Sequence, residues 1–203
     1  MPKQVDHEDR RRELAEAVWR VIRRDGVQGA SVRSVAAESG WSAGSLRHYF
    51  SSQQELLVFA VELVLERVPR RLQVHLASDG LDVLTRSRRL LEELLPLDDE
   101  REVEVLVYLA FADRARVDRA LASVRARAWA DTRQLCRLVV ADLVGSRRPA
   151  AGAALRPRRH EDAAEQLHAL LDGLTLQAIS FPDQFPPGRA RTVLHRALAA
   201  LRP

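Results

Sequence analysis

The chain has 203 residues, 46% of them hydrophobic, with nine Gly and nine Pro, a composition that builds one large core or two small ones and excludes a disordered polymer. Its single cysteine, Cys136, excludes an intramolecular disulfide, and with no charged–apolar–small leader pattern at the N-terminus the expected compartment is the cytosol. The uncharged run Gly173–Pro182 is ten residues long, well short of the roughly 20 that a membrane helix needs, so no membrane partner is expected.

Charge is a weaker witness than a pI near 10.1 suggests. Lys3 is the single lysine, so 31 of the 32 cationic side chains are arginine, yet the 28 carboxylates leave a formal net charge of only +4. Between Ser31 and Gln54 the balance is Arg33 and Arg47 against Glu38. That is no basic stripe of the kind that grips phosphate without regard to sequence.

Residues 1 to 7 are polar and expected to fray. From about Glu8, Leu14, Val18, Val21 and Ile22 recur at helical spacing, and Gly26 is placed to end that helix near Asp25. Two short helices follow. Ser31 can cap the first, whose inward face is Val35 and Ala36, and Gly40 stands where a left-handed residue turns the chain. Ser42 can cap the second, which sends Leu46 and Phe50 inward. Ser52-Gln53-Gln54-Glu55 reads as a capping box ahead of a third, long helix. Helix, glycine turn and helix of this size form a helix-turn-helix unit.

The long helix carries Leu57, Ala60, Val61, Val64, Val68 and Leu72 on one stripe, and Pro69 should break or kink it. Ser78-Asp79-Gly80 marks a turn. Leu84, Leu91 and Leu95 belong to the next helix, stopped by Pro96, and Asp98 or Asp99 can cap another that carries Val103, Leu106, Ala110 and Phe111. A near-heptad stripe from Leu121 to Leu143 predicts a helix over about 117–144. The segment 145–160, with Pro, Gly and five Arg but no periodicity, reads as a mobile loop. Leu167, Leu170, Leu171, Leu174 and Ala178 make a stripe on a helix over about 161–180, and Val193, Leu194, Ala197, Leu198 and Leu201 make one on the last helix. These two stripes are expected to pair across a two-fold axis, because one helix pair cannot cover both faces. With no alternating strand pattern, the expected fold is all-α: a helix-turn-helix domain over 1–51 and a larger helical domain over 52–203, its residues 52–78 a connecting helix.

No catalytic chemistry stands out. There is no Gly-rich phosphate loop, no His-Glu-x-x-His and no Cys-x-x-Cys, and the six His are scattered, so neither a metal nor another cofactor is expected and the chain does not read as an enzyme. Cys136 on an apolar helix reads as a small core residue.

The residues Val35-Ala36, Gly40-Trp41-Ser42, Gly44-Ser45-Leu46, Tyr49-Phe50 and Glu55-Leu56-Leu57 stand in an order and spacing that resembles the DNA-binding domain of the tetracycline-repressor (TetR) family of bacterial regulators. The resemblance covers about the first quarter of the chain. Arg47 stands where the family usually has Tyr, Tyr49 where it has His, and Gln53 where it has a phosphate-binding Lys; the His-Tyr-Phe ending resembles the choline-responsive branch.

In a helix-turn-helix the N-terminal residues of the second helix meet base edges in the major groove, which makes Ser42, Ala43, Gly44 and Ser45 candidates. Arg47 is the side chain there that can grip guanine with two bonds, and the resemblance adds Arg33 as a base reader from the preceding helix. His48 and Tyr49 suit phosphate contacts, with core packing the other reading for Tyr49. Ser31 and Gln53 complete the set of DNA contacts implied by the family pattern. The resemblance further implies a homodimer joined through C-terminal helices, an inverted-repeat operator in double-stranded DNA, and a small-molecule effector held among the middle helices near Tyr108, Phe111, Trp129 and Arg133. The reading from another class is a helical small-molecule-binding or interaction protein without DNA recognition, for which Gln53 is the hint.

Overall fold

The structure is a computed structural model that describes residues 2–78 and 80–202, and the side chains among these except those of residues 2–9 and Ala120. Among the described residues there are nine α-helices, α1 (Pro2–Gly29), α2 (Val32–Ser39), α3 (Ala43–Arg47), α4 (Gln53–Ala77), α5 (Val83–Glu92), α6 (Asp99–Val117), α7 (Ala122–Leu143), α8 (Arg158–Ser180) and α9 (Pro187–Ala200), with a short 3-10 turn at Arg119–Leu121 before α7. The all-α expectation holds. Helix α1 already begins at Pro2, so the polar leader expected to fray is helical from its second residue, while Met1 lies outside the described residues. The expected turn at Ser78-Asp79-Gly80 is described only at Ser78 and Gly80.

Capping chemistry sets most of the boundaries. Gly26 breaks the regular course of α1 with φ 72°, the left-handed conformation that glycine adopts without steric cost. The carboxylate of Asp82 accepts from the backbone N–H groups of Leu84 and Thr85 at 3.0 and 3.2 Å to open α5, and that of Asp98 accepts from Arg101 N–H at 2.9 Å to open α6. Pro69, expected to break or kink the long helix, does not break it: α4 is helical on both sides.

The chain forms two compact units. One comprises residues 1–67 with 106–113, the other residues 68–105 with 114–203. The change of unit within α4, between Arg67 and Val68, falls just before Pro69.

In the first unit Leu14, Val18, Val21, Val35, Leu46, Leu56 and Val61 are buried, and Phe50 leans on Phe59 with ring centroids 5.0 Å apart. In the second, Leu91, Leu95, Cys136, Val140, Leu171, Leu174, Leu194 and Leu198 form one core from α5, α7, α8 and α9. Burial raises the Cys136 thiol to about 12, so it stays protonated and inert, the small core residue expected from the sequence. The core also encloses an ion pair: Arg137 on α7 donates to the Glu161 carboxylate from Nε at 3.0 Å and from Nη2 at 2.6 Å. Glu161 Oε2 also accepts the Leu155 N–H at 2.8 Å, which ties down the segment expected to be a mobile loop. These bonds, the Arg137 pair foremost, hold the Glu161 carboxyl below its ordinary range.

One expectation is corrected here. Leu167, Leu171, Leu174 and Ala178 do not wait for a second subunit, because all four are buried inside their own chain. The stripe packs with α7 and α9 in the core of the second unit, and helical periodicity alone cannot say which neighbour covers an apolar face. Leu174→Ala should therefore act on folding, destabilising the second unit by about 2–5 kcal/mol in denaturant unfolding through the cavity it leaves.

Candidate nucleic-acid interface

The short helices of the first unit are set by hydroxyl caps. Ser34 N–H donates to Ser31 Oγ at 3.1 Å, and Ser31 N–H donates to Ser34 Oγ at 2.8 Å, a reciprocal box around the first turn of α2. Gly40 ends α2 at φ 74°, ψ 9°, the left-handed C-cap expected there. Ser45 N–H donates to Ser42 Oγ at 3.0 Å to open α3. Both cap assignments made from the sequence hold. At the start of α4 Ser52 Oγ accepts from Glu55 N–H at 3.2 Å, but the Glu55 carboxylate reaches one residue further back than a capping box requires. It takes the Ser51 N–H at 2.6 Å and the Ser51 hydroxyl at 2.8 Å.

Leu46 and Phe50 point inward, so the opposite face of α3 is open to solvent: Ser42, Ala43, Gly44, Ser45, Arg47 and His48 are all exposed. Four of these, Ser42, Ala43, Gly44 and Ser45, have little or no side chain, which lets a partner surface come close to the backbone. Arg33 is exposed on α2, and neither it nor Arg47 is engaged with another described side chain. Tyr49 is half-buried with its ring edge-on to Trp41, centroids 5.6 Å apart and planes at 72°. Its packing partner is thus Trp41, the residue just after the glycine turn. Ser31 is half-buried and engaged as a cap.

Two features escape a reading of the sequence. The first is the state of Glu38, the one carboxylate between Ser31 and Gln54. Arg20 Nε donates to its Oε1 at 2.6 Å and Arg24 Nη1 to its Oε2 at 2.7 Å, both from α1. These bonds, that from Arg24 foremost, hold the Glu38 carboxyl below its ordinary range. Its charge is compensated at the rear, and Arg33 and Arg47 are left as the net charge of the motif. The signal was present as two arginines four apart on one face of α1. The second is Gln53, whose amide nitrogen donates to Gln28 O at 3.1 Å and Ala30 O at 3.0 Å. The side chain that replaces the family's lysine clamps the α1–α2 connection to α4.

Of the four residues expected near an effector, Trp129 and Arg133 come together on α7, the guanidinium carbon 5.1 Å from the indole centroid. Phe111 is a core side chain of the first unit, where Tyr108 also lies, half-buried.

A capped helix, a left-handed glycine and an exposed short helix on a three-helix core define a helix-turn-helix DNA-binding protein. Comparison with known proteins agrees: residues 14–58 match the family of bacterial regulatory proteins, tetR family, and residues 83–203 match the BetI-type transcriptional repressor C-terminal domain. The chain belongs to the TetR family and is a transcriptional regulator of the BetI type, not an enzyme. It is 38% identical over 197 residues to the transcriptional regulator PksA of Bacillus subtilis (strain 168), covering 96% of this chain and 90% of that one. The crystal structure of a transcriptional regulator from Rhodococcus sp. Rha1 superposes with a TM-score of 0.75 at 30% identity, covering 94% and 95% of the two chains. A regulator from Saccharomonospora viridis solved in complex with choline shares the fold, with a TM-score of 0.69 at 23% identity over 95% and 96%. Regulators of this family bind operator DNA and small-molecule effectors, typically as dimers. No helix among the described residues is long and apolar enough to cross a membrane.

Because Glu38 and Glu55 titrate below the ordinary 4.5, each stabilises the fold above that value and loses its contribution as pH falls through its depressed pKa. Thermal melts from pH 6 to pH 3 should show that loss, and Glu55→Gln, which cannot titrate, should remove the Glu55 share of it and leave that of Glu38. In denaturant unfolding, Gln53→Ala should cost roughly 0.5–1.5 kcal/mol from the amide bonds it removes.

Proposed function

We propose that this protein is a cytosolic homodimeric repressor that binds an inverted-repeat operator and leaves it when a small molecule occupies the second unit. The observation that carries the DNA half of this reading is the arrangement around α3: an open face of small residues flanked by two uncommitted arginines, with Glu38, the one carboxylate between Ser31 and Gln54, paired to Arg20 and Arg24. Arg47 reads a base pair, Arg33 reads one from α2, and His48 and Tyr49 meet phosphate. Ser31 and Gln53 serve DNA binding indirectly, since their polar groups hold the short helices in register. A two-fold dimer presents two copies of α3, which suits half-sites centred about 34–36 Å apart or a multiple of that.

The dimer forms through the outward face of α8, where Ala169, Asp172 and Leu176 recur at helical spacing and Leu176 is 55% exposed. The exposed residues Thr192, Arg196 and Ala199 of α9 extend this surface. Small side chains let a second copy approach, and Leu176 supplies the apolar contact that water disfavours. Leu176→Arg should yield a folded monomer in sedimentation, in contrast to Leu174→Ala, which loosens the fold. An unchanged dimer in Leu176→Arg would move the interface elsewhere.

For the operator, affinity is measured against the native upstream region and a scrambled duplex over a salt series. Arg47→Ala should cost roughly 1–3 kcal/mol per half-site and relax preference at one base pair. Equal losses on both duplexes would make Arg47 a phosphate anchor only. Wild-type protein that fails to prefer the upstream region would favour the reading in which the helical scaffold binds small molecules without reading DNA.

A further inference from the structure

Between α7 and α8, inside the second unit, lies a group of side chains that the fold leaves incomplete. Arg133 lies over the indole of Trp129 at 5.1 Å, and the ring of His168 approaches the same indole with centroids 5.6 Å apart. Arg133 Nε and Nη1 are shielded from solvent and find no hydrogen-bond acceptor among the described residues; the same holds for His168 Nδ1. His168 is only 4% exposed, while Trp129 is 52% exposed. Two carboxylates lie nearby without closing the gap: Glu165 Oε1 is 3.9 Å from Arg133 Nη1, and Asp172 Oδ2 is 4.0 Å from His168 Nε2. Both distances exceed a hydrogen bond, and both carboxylates reach into water.

Buried guanidinium N–H groups left without acceptors are costly, and native proteins leave few of them. What completes this group must bring acceptor oxygens and negative charge to Arg133, and apolar surface to the open side of Trp129. We propose that the effector of this regulator is an organic carboxylate with an apolar body, its carboxylate held by Arg133 and the Nδ1–H tautomer of His168, its body against Trp129. This rests on the reading that a small molecule binds the second unit, and it names that molecule's class. A monoanion fits better than a phosphate dianion, because Glu165 stands beside Arg133 and Asp172 beside His168. A quaternary ammonium such as the choline held by a relative of the same fold does not fit here. Such a cation would share the Trp129 ring with the Arg133 guanidinium, like charge beside like charge.

The test is titration of the full-length protein with benzoate and octanoate, with benzamide and octanamide, and with choline. Tryptophan fluorescence is the readout, and Trp129→Phe gives the background. The carboxylates should give saturable changes, the amides should bind at least tenfold more weakly, and choline should do nothing. Arg133→Met should lower carboxylate affinity at least tenfold with melting temperature and sedimentation unchanged, and Arg133→Lys should restore part of it. Should Arg133→Met unfold the chain, His168→Phe serves instead, with the same expected loss. Carboxylates without saturable change up to millimolar concentration, amides or choline binding as tightly, or carboxylate affinity unaltered in the folded variant would each overturn the assignment. A gel shift on the operator separates the two readings. A carboxylate that binds through Arg133 without releasing DNA upholds the site and removes its role as effector. Choline that releases both wild type and Arg133→Met upholds the regulator and removes the site.

Discussion

The reading surface depends on a helix that cannot hold itself. At five residues, α3 is far below the length at which helical hydrogen bonding outweighs the entropy of nucleation. What keeps it in place is side-chain burial from one face: Leu46 is fully buried and Phe50, one turn on, is 5% exposed against Phe59. Ser42 and Gly40 then fix where the helix starts and which way the chain arrives. With 100° of rotation per residue, moving Leu46 by one position would turn Arg47 away from the open face. The direction in which Arg47 points is thus decided by buried residues on the opposite face of the helix.

The same economy governs charge. An arginine-rich chain with nearly balanced carboxylates could place its positive charge anywhere, and the net value of +4 says nothing about where. The structure compensates Glu38 with Arg20 and Arg24, Glu104 and Glu93 with Arg71, Glu161 with Arg137, and Asp142 with Arg148. The exposed pairs among them, such as Arg148–Asp142, add little stability individually, whereas the pairs at the buried carboxylates Glu104 and Glu161 are costly to break. Each pairing takes one positive and one negative charge out of play, and around α3 that leaves Arg33 and Arg47 facing outward.

Much of this was legible in the sequence, and the pattern of what was not is instructive. Ser31, Gly40 and Ser42 were readable as caps because capping is local, and the choice left open between Asp98 and Asp99 falls to Asp98, whose carboxylate accepts the Arg101 N–H. Leu46 and Phe50 were readable because one face of a short amphipathic helix must go inward. The failures concern partners distant in sequence. The Leu167–Ala178 stripe was correctly apolar, but its cover proved to be the same chain. Gln53 read as a weakened phosphate contact, and its amide is engaged with carbonyls 23 and 25 residues away. Of the residues grouped around an effector, Trp129 and Arg133 sit one helical turn apart and were found together. His168, which joins them from α8, carried no local signal.

Helices α4 and α6 each contribute residues to both units. The two ends of α4 are held by different physics. Its first half is fastened by apolar contacts of Leu56, Ala60, Val61 and Val64, which tolerate small slides. Beyond Pro69 the fastening is ionic and directional. Arg71 donates to the buried carboxylate of Glu104 on α6 through both terminal nitrogens, Nη1 at 2.8 Å, and to Glu93 through Nε at 2.6 Å, while His75 Nε2 lies 2.9 Å from Glu93 Oε1. A bidentate pair has one good geometry, and removing either partner would leave the other charge uncompensated in a shielded place. An effector that favours one arrangement must do so by binding it more tightly than the other. The end of α4 beyond Pro69 and the start of α6 are tied by directional charge pairs within the second unit, while the first half of α4 is held by apolar contacts in the first.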